Sequence, residues 1–361
     1  MKTVVAGGGT GGHVFPGIAL AQELVRRDPD AEVVFVGTAR GMEVQAVPQA
    51  GFALELLDVG PLRGRTWKQW FENVLKLPQA LWAAVKKMRA LNPDVAVSVG
   101  GYAAGPAVLA CALLGVPCVV MEQNAVPGLT NRVLGFFAKC VLASVPVKGF
   151  RASKTRVIGN PVRSGVLAVR AQAYEPHNPL RLLVMGGSQG AHALNVLMME
   201  YATHRGMLHT PWHVLHQTGK KEYEEVRDAY ARLNAEGMEA TPFIDNMAEA
   251  YAQADVVLCR AGASTLAELT LCGRASVLVP FPHAAGDHQT HNARMMEEQG
   301  AALHVPQADM TAGWLIETLN RFAEHPETLQ QMAAQARALG KPQALEDAAN
   351  VVTALARGEV F

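Results

Sequence analysis

Five of the six residues from Gly7 to Gly12 are glycine; Thr10 interrupts them and His13 closes the run. Glycine lets backbone N–H groups approach an oxyanion where a Cβ would intervene. Residues 14–24 read as a helix, with Ile18, Ala21, Leu24 and Val25 on one face. Its N-terminus adds partial positive charge behind the loop. The apolar run Val4-Val5-Ala6 supplies a strand in front. Strand, glycine turn and helix in this order read as an anion cradle.

The arrangement recurs. Gly100-Gly101-Tyr102-Ala103-Ala104-Gly105-Pro106 follows an apolar strand at 95–99. Gly186-Gly187-Ser188-Gln189-Gly190-Ala191 follows one at 180–185, and Arg260-Ala261-Gly262-Ala263-Ser264-Thr265 one at 255–259. Three simpler chemistries are set aside. A P-loop needs Lys-Ser or Lys-Thr after the glycines, and Gly12 is followed by His13. A dinucleotide site wants an acid at the tip of the second strand, and Val36-Gly37-Thr38-Ala39-Arg40 has none. Gly186-Gly187-Ser188-Gln189-Gly190 has the Gly-x-Ser-x-Gly spacing, but it is one glycine loop among several and is not read as a nucleophile elbow. Several glycine loops on two sheets suit a diphosphate that carries a sugar and a nucleoside.

The elements that position these loops follow from the pattern. Strands are expected at 32–36, 53–59, 116–121, 140–143, 155–158 and 276–279. A largely helical stretch at 67–91 has a break at Pro78. Gly159-Asn160-Pro161 marks a boundary, after which strand, glycine loop and helix begin again. The expected domains are 1–161 and 162–341, with a terminal helix in 342–361 that packs back on the first. Both domains read as α/β, Rossmann-like units with parallel sheets. Ligands bind such sheets at the carboxyl ends of the strands. If the loop faces oppose each other, the site is the cleft between them.

Composition sets limits. Lysine plus arginine and aspartate plus glutamate both number 32, which argues against a general nucleic-acid binder. The five cysteines stand singly in apolar surroundings and read as buried thiols of a reducing compartment. No signal peptide is expected, because strand residues begin at Thr3. Residues 95–121 carry no charge, but six glycines and prolines interrupt them, so a strand–loop–helix–strand unit fits better than a membrane span. Trp67, Trp70, Phe71, Val74, Leu75, Leu81, Trp82 and Val85 recur near helical spacing among Arg63, Arg65, Lys68, Lys76, Lys86, Lys87 and Arg89. Part of that helix packs on the sheet, and the 67–82 region also suits an anionic membrane surface. His283, Asp287, His288 and His291 have a spacing that could hold zinc, but no cysteine or second carboxylate lies near them, and no metal site is assigned. His209, His213 and His216 read as partly exposed structural histidines.

Taken together and in this order, the glycine loops, Glu122-Gln123-Asn124, Gly159-Asn160-Pro161-Val162-Arg163, the run from Arg260 to Glu268 and Asp287-His288-Gln289-Thr290 resemble the MurG family across nearly the whole chain. That resemblance implies a GT-B fold, two Rossmann-like domains whose parallel sheets face each other across a cleft. It implies inverting transfer of N-acetylglucosamine from UDP-GlcNAc to the C4 hydroxyl of the muramoyl sugar of lipid I. The product is lipid II, made for peptidoglycan at the cytoplasmic face of the inner membrane. No tightly bound cofactor is implied; cell-wall assembly proteins are implied partners. The first domain would take acceptor and membrane, the second UDP-GlcNAc.

Carried over by position, Thr10, Gly11 and Gly12 line the site beside the donor diphosphate and sugar. Asn124 and Gln289 contact the sugar, Arg163 and Ser188 the donor, and Ile244 the uracil. Ala263, Ser264, Thr265, Leu266, Ala267 and Glu268 hold the nucleotide, with Glu268 accepting from the ribose hydroxyls. Transfer needs a base for the acceptor hydroxyl. His13 is the expected base, since a helix N-terminus disfavours its protonated form. Glu122, at a strand end on the same loop face, is the alternative. Arg163 or Arg260 could meet leaving-group charge. Two other functions share the features: a UDP-GlcNAc 2-epimerase, and a non-catalytic nucleotide-sugar-binding membrane subunit.

Overall fold

Val4, Val5, Ala6, Val95, Ala96 and Val97 are wholly buried, as strands covered on both faces must be. The computed structural model describes residues 1–59, 67–162, 164–172, 174–187 and 189–359, with backbone alone at 67–77, 164 and 285. Along the first part of the chain run β1 (Lys2–Gly7), α1 (Gly11–Arg27), β2 (Glu32–Gly37), α2 (Glu43–Gln49), β3 (Ala53–Leu56), α3 (Trp67–Leu91), β4 (Val95–Gly100), α4 (Ala104–Leu113), β5 (Cys118–Glu122), α5 (Leu129–Phe137), β6 (Cys140–Ala143) and β7 (Thr155–Val157). Then come α6 (Ser164–Val169), β8 (Leu180–Met185), α7 (His192–His204), β9 (Trp212–Gln217), α8 (Tyr223–Arg232), β10 (Met238–Thr241), α9 (Met247–Gln253), β11 (Val256–Cys259), α10 (Ala263–Cys272) and β12 (Ala275–Leu278). The chain closes with α11 (His288–Glu298), β13 (Ala302–His304), α12 (Ala312–Glu324), α13 (Pro326–Leu339) and α14 (Ala344–Ala356).

The chain forms two compact units, Met1–Arg163 with Gln343–Phe361, and Ser164–Pro342. Among the described residues the first unit holds a seven-stranded sheet in the order β3-β2-β1-β4-β5-β6-β7. Every pairing in it is parallel. One face packs Val5, Phe35, Val97 and Val119 under α1 and α14, the latter through Ala348, Val351, Val352 and Leu355. Arg27 Nη1 donates to Asn350 Oδ1 at 2.6 Å and fastens α14 to α1. The other face packs Val4, Ala6, Ala96 and Val120 under α3, α4 and α5. The second unit holds a six-stranded sheet in the order β10-β9-β8-β11-β12-β13, also wholly parallel. In each sheet the strand order reverses beside the first strand, between β1 and β4 and between β8 and β11. Loops leaving the carboxyl ends there diverge and leave a crevice.

Three local differences from the sequence reading have physical causes. Helix α3 continues through Pro78, held on its C-terminal side by the fully buried Ala84 and Met88. Helix α2 has too short a pattern to register as periodic, yet Glu43 and Val47 anchor it inward. His216 is wholly buried, not partly exposed. Arg274, also buried, donates to the carbonyls of Tyr251, Ala252 and Gly273, so a cation closes the carboxyl ends of α9 and α10. All five cysteines are unpaired and buried, and burial pushes the thiols of Cys111, Cys118, Cys259 and Cys272 up to about 12. Residues 95–121 form β4, α4 and β5, and no helix among the described residues is long and apolar enough to cross a membrane.

His216 belongs to a buried chain of hydrogen bonds behind the 186–191 loop. Asn195 Nδ2 donates to Thr218 O at 3.0 Å and to Glu222 Oε2 at 3.0 Å, which leaves Asn195 Oδ1 to accept from His216 Nε2 at 3.1 Å. His216 Nδ1 then accepts from the Tyr230 hydroxyl at 2.8 Å. Burial pushes the His216 pKa down from 6.5 to about 3, so the folded unit keeps it neutral. The unfolded chain protonates it below about pH 6.5. Stability is therefore full above that pH and falls as pH drops toward 3. His216→Gln should flatten this acid limb by about 1.4 kcal/mol per pH unit between about pH 6 and pH 4, in urea unfolding at stepped pH. A parallel pH dependence in parent and variant would contradict the buried neutral assignment.

Candidate active site

The loop after β1 lies against the loop after β4. The Gly8 N–H donates to Gly100 O at 3.3 Å, and a Cβ at Gly101 (φ +83°) would overlap the Gly8 carbonyl oxygen. Two backbones can meet this closely only without side chains between them. Thr10, exposed and extended (φ −120°, ψ 159°), is the N-cap of α1, and Gly11 and Gly12 form its first turn. His13 is half-buried. Its Nδ1 lies 3.4 Å from the Thr10 hydroxyl, and its other edge lies over Gly100, where an added Cβ would sit 3.0 Å from Nε2.

The same Cβ would sit 3.5 Å from Asn131 Nδ2, so the histidine ring and this buried amide converge on Gly100. Asn131 Oδ1 accepts from the Ser98 hydroxyl at 2.7 Å, and Nδ2 donates to Met121 O at 2.9 Å and to Glu122 Oε2 at 3.0 Å. Glu122, buried at the end of β5, also accepts from Gly128 N at 3.2 Å, from Asn124 N at 3.0 Å and from Asn124 Nδ2 at 3.3 Å. Both of its oxygens are committed to loop donors. It therefore fixes Asn124, and it is poorly placed to collect a proton from a ligand. The anion-cradle reading of the first loop also changes in one respect. The Gly9 N–H already donates to a carboxylate of the chain itself, Glu43 Oε2, at 2.8 Å.

In the second unit, Glu268 lies in the second turn of α10 and is buried. Tyr251 on α9 donates its hydroxyl to Glu268 Oε2 at 2.8 Å. Burial, with the adjacent carboxylate, pushes the Tyr251 pKa well up, so the phenol stays a donor. Ala263, Ser264, Thr265 and Ala267 are half-buried along the start of α10, Leu266 is buried, and Gly262 caps the helix in extended conformation. Ile244 is half-buried between β10 and α9. Gln289 Oε1 accepts from Phe281 N at 2.9 Å, and Asn292 Nδ2 donates to Ala261 O at 3.1 Å, which ties α11 to the loop after β11.

Arg260 is engaged by its own unit. Its guanidinium donates to Val279 O at 3.2 Å, Pro280 O at 3.1 Å and Gln307 Oε1 at 2.7 Å, and stacks 5.6 Å from the Phe281 ring centroid. Arg163 and Ser188 lie outside the described residues. Among the described residues, no group of three or more His, Cys, Asp or Glu is placed to hold a metal ion. Sequence reasoning missed Glu43, Ser98, Asn131 and Tyr251. Ser98 and Asn131 carried one signal, a polar residue where a buried strand or helix face would otherwise be apolar; Glu43 and Tyr251 carried none.

These loops can be compared with known proteins. The glycosyltransferase family 28 N-terminal domain matches residues 3–143, and the family 28 C-terminal domain matches residues 181–350. A Myxococcus xanthus protein is 44% identical over 353 residues, covering 97% of this chain and 92% of the relative. It is named UDP-N-acetylglucosamine–N-acetylmuramyl-(pentapeptide) pyrophosphoryl-undecaprenol N-acetylglucosamine transferase. The crystal structure of Acinetobacter baumannii MurG superposes with a TM-score of 0.76 at 34% identity, covering 98% of this chain and 99% of that one. The chain belongs to the MurG family of glycosyltransferases. Its two parallel-sheet units are those of the GT-B class. A UDP-N-acetylglucosamine 2-epimerase from Listeria monocytogenes also superposes, with a TM-score of 0.68, over 100% of this chain and 99% of its own. At 14% identity that likeness is one of fold.

Proposed function

We propose that this MurG-family enzyme transfers N-acetylglucosamine from UDP-GlcNAc to the C4 hydroxyl of the muramoyl sugar of lipid I, with inversion, giving lipid II. The identity of 44% over 97% of the chain to a transferase named for this donor and acceptor carries the reading. The loop geometry supports a division of labour. The second unit takes the donor: Glu268, steadied by Tyr251, accepts from the ribose hydroxyls, and the residues from Ala263 to Ala267 bracket the nucleotide. Ile244 meets the uracil, Gln289 the sugar and Ser188 the phosphates; Asn124 and Arg163, which belong to the first unit, meet the sugar and the donor. The first unit takes the acceptor, with Thr10, Gly11 and Gly12 beside the donor diphosphate and sugar.

His13 is the general base in this reading. When its Nδ1–H donates to the Thr10 hydroxyl, Nε2 carries the basic lone pair beside Gly100. Glu122 is set aside because four donors already occupy it. As the anomeric carbon–oxygen bond to UDP breaks, the new bond to the acceptor oxygen forms and His13 takes that hydroxyl's proton. Backbone N–H groups and the N-terminus of α10 stabilise the charge on UDP.

The enzyme works at the cytoplasmic face of the inner membrane as a peripheral protein. Trp82, Leu113, Phe136 and Phe137 are all more than half exposed on α3, α4 and α5. Leu129, Val133, Phe136 and Phe137 line one side of α5, with Arg132 and Lys139 exposed beside them. Lys86 sits 6.0 Å from the Trp82 ring. Apolar side chains fringed by cations suit an anionic lipid surface. The other side chains assigned to this surface, Trp67, Trp70, Phe71, Val74 and Leu75, lie outside the described residues.

Incubation with UDP-GlcNAc, with and without lipid I, tests the reaction. Lipid II and UDP should appear only with acceptor; acceptor-independent UDP-ManNAc would replace the reading with an epimerase, and binding without product with a non-catalytic subunit. His13→Ala should lower turnover roughly 10²–10⁴-fold with UDP affinity intact, and should remove the acidic limb of the pH–rate profile. Turnover near the parent's at saturating acceptor would eliminate His13 and return Glu122 to consideration. Glu268→Ala should weaken UDP and UDP-GlcNAc alike by roughly 1.5–3 kcal/mol, and Tyr251→Phe by roughly 0.5–1.5 kcal/mol. Equal affinities in calorimetry would rule out the ribose role. Serine at 82, 136 and 137 together should abolish sedimentation with anionic vesicles while circular dichroism is unchanged; retained binding counts against this surface.

A further inference from the structure

Glu43 stands outside every motif considered above. It is the first residue of α2, and its side chain turns inward until only 1% is exposed. Oε1 accepts from the Thr38 backbone N–H at 3.0 Å and from the Thr38 hydroxyl at 3.0 Å. Oε2 accepts from the Gly9 N–H at 2.8 Å. Gly8, Gly37 and Gly41 enclose it, and a Cβ added at any of the three would collide with the Glu43 side chain. One carboxylate thus joins the end of β2 to the glycine loop that follows β1. It grips that loop one residue before the N-cap of α1.

We propose that Glu43 is a positioning residue for acceptor use, an internal anion that sets the stretch Thr10–His13 at the start of α1. The proposal rests on the reading of the first unit as the acceptor half with His13 as base. Two observations carry it. The Gly9 N–H, which a glycine loop would offer to a phosphate oxygen, is filled from inside. And both carboxylate oxygens face N–H donors, at Gly9 and at Thr38. A carboxylate accepts at both ends, whereas an amide accepts at one and donates at the other. In Glu43→Gln the NH₂ must face either the Gly9 or the Thr38 N–H, and that N–H loses its acceptor. The loop is then free to shift while the volume around it is conserved. A displacement of about 1 Å at a catalytic group can cost about 10²-fold in rate.

The test uses the full chain with Glu43→Gln, and Thr38→Val as a second variant that removes one donor from the same carboxylate without altering the glycine loop. Amide hydrogen exchange is read by mass spectrometry on peptides covering 7–13 and 260–268, UDP affinity by calorimetry, and kcat/KM for lipid I at saturating UDP-GlcNAc. Glu43→Gln should speed exchange at 7–13 alone, lower kcat/KM for lipid I roughly 10–10²-fold, and change UDP affinity by much less. Thr38→Val should shift the same readings in the same direction by less. Parent-like exchange at 7–13 would overturn the proposal. So would faster exchange with unaltered lipid I use, or a loss confined to UDP affinity. If Glu43→Gln does not fold, Thr38→Val decides by the same criteria. Failure of the parent to use lipid I would sink the transfer reading, while the exchange comparison would still judge the hold of Glu43 on the loop.

Discussion

The loop face of the first unit depends on two backbones in contact, Gly8 against Gly100 and Gly101. That contact brings the end of β1 and the end of β4 together at the place where the strand order reverses. It admits no side chain, so the polar groups that give the face its chemistry must arrive from its margins. His13 enters from the first turn of α1, Asn131 from α5 and Glu122 from the end of β5. Asn131 and Glu122 are held by hydrogen bonds to neighbouring strands and loops, which fixes their direction before any ligand binds, and His13 lies against the Thr10 hydroxyl.

Both units tie down their loops and element ends with charged side chains. In the first, buried carboxylates gather loop N–H groups: Glu122 takes Asn124 and Gly128, and Glu43 takes Thr38 and Gly9. In the second, guanidiniums also gather carbonyls, the buried Arg274 closing two helix ends and the half-buried Arg260 holding Val279 and Pro280, while the buried Asp255 carboxylate takes the N–H groups of His177 and Arg181. An anion fits where a turn leaves donors unpaired, and a cation fits where helices and strands end in carbonyls. The buried arginine also explains how Tyr251 and Glu268, on separate helices, keep their 2.8 Å contact.

Much of this was legible in the sequence. Glycine loops after apolar runs located the carboxyl ends of the strands, because only those turns need residues without Cβ. Their recurrence pointed to two α/β units. Less legible were polar residues whose meaning lies in a distant partner. Glu43 looks like a solvated helix start until the three glycines around it are seen in space. Tyr251 looks like a core aromatic until its hydroxyl is found on Glu268. His216 shares its strand face with Trp212 and Val214, but a titratable side chain near two other histidines reads as half-exposed until α7 and α8 are seen to supply Asn195 and Tyr230 as partners. Arg260 sits in a matched motif, but the neighbouring carbonyls engage it.

Helix α14 has a consequence for the order in which the chain can mature. Its residues Ala348, Val351, Val352 and Leu355 complete one face of the first unit's sheet, beside α1. Residues 164–342 form the second unit without them. During synthesis, the half translated first must wait for a segment translated after the whole of the other half. Until then Val5, Phe35, Val97 and Val119 lack part of their cover, which exposes apolar surface to the nascent-chain environment. The second unit, begun later, is the one whose stretch of chain is complete first.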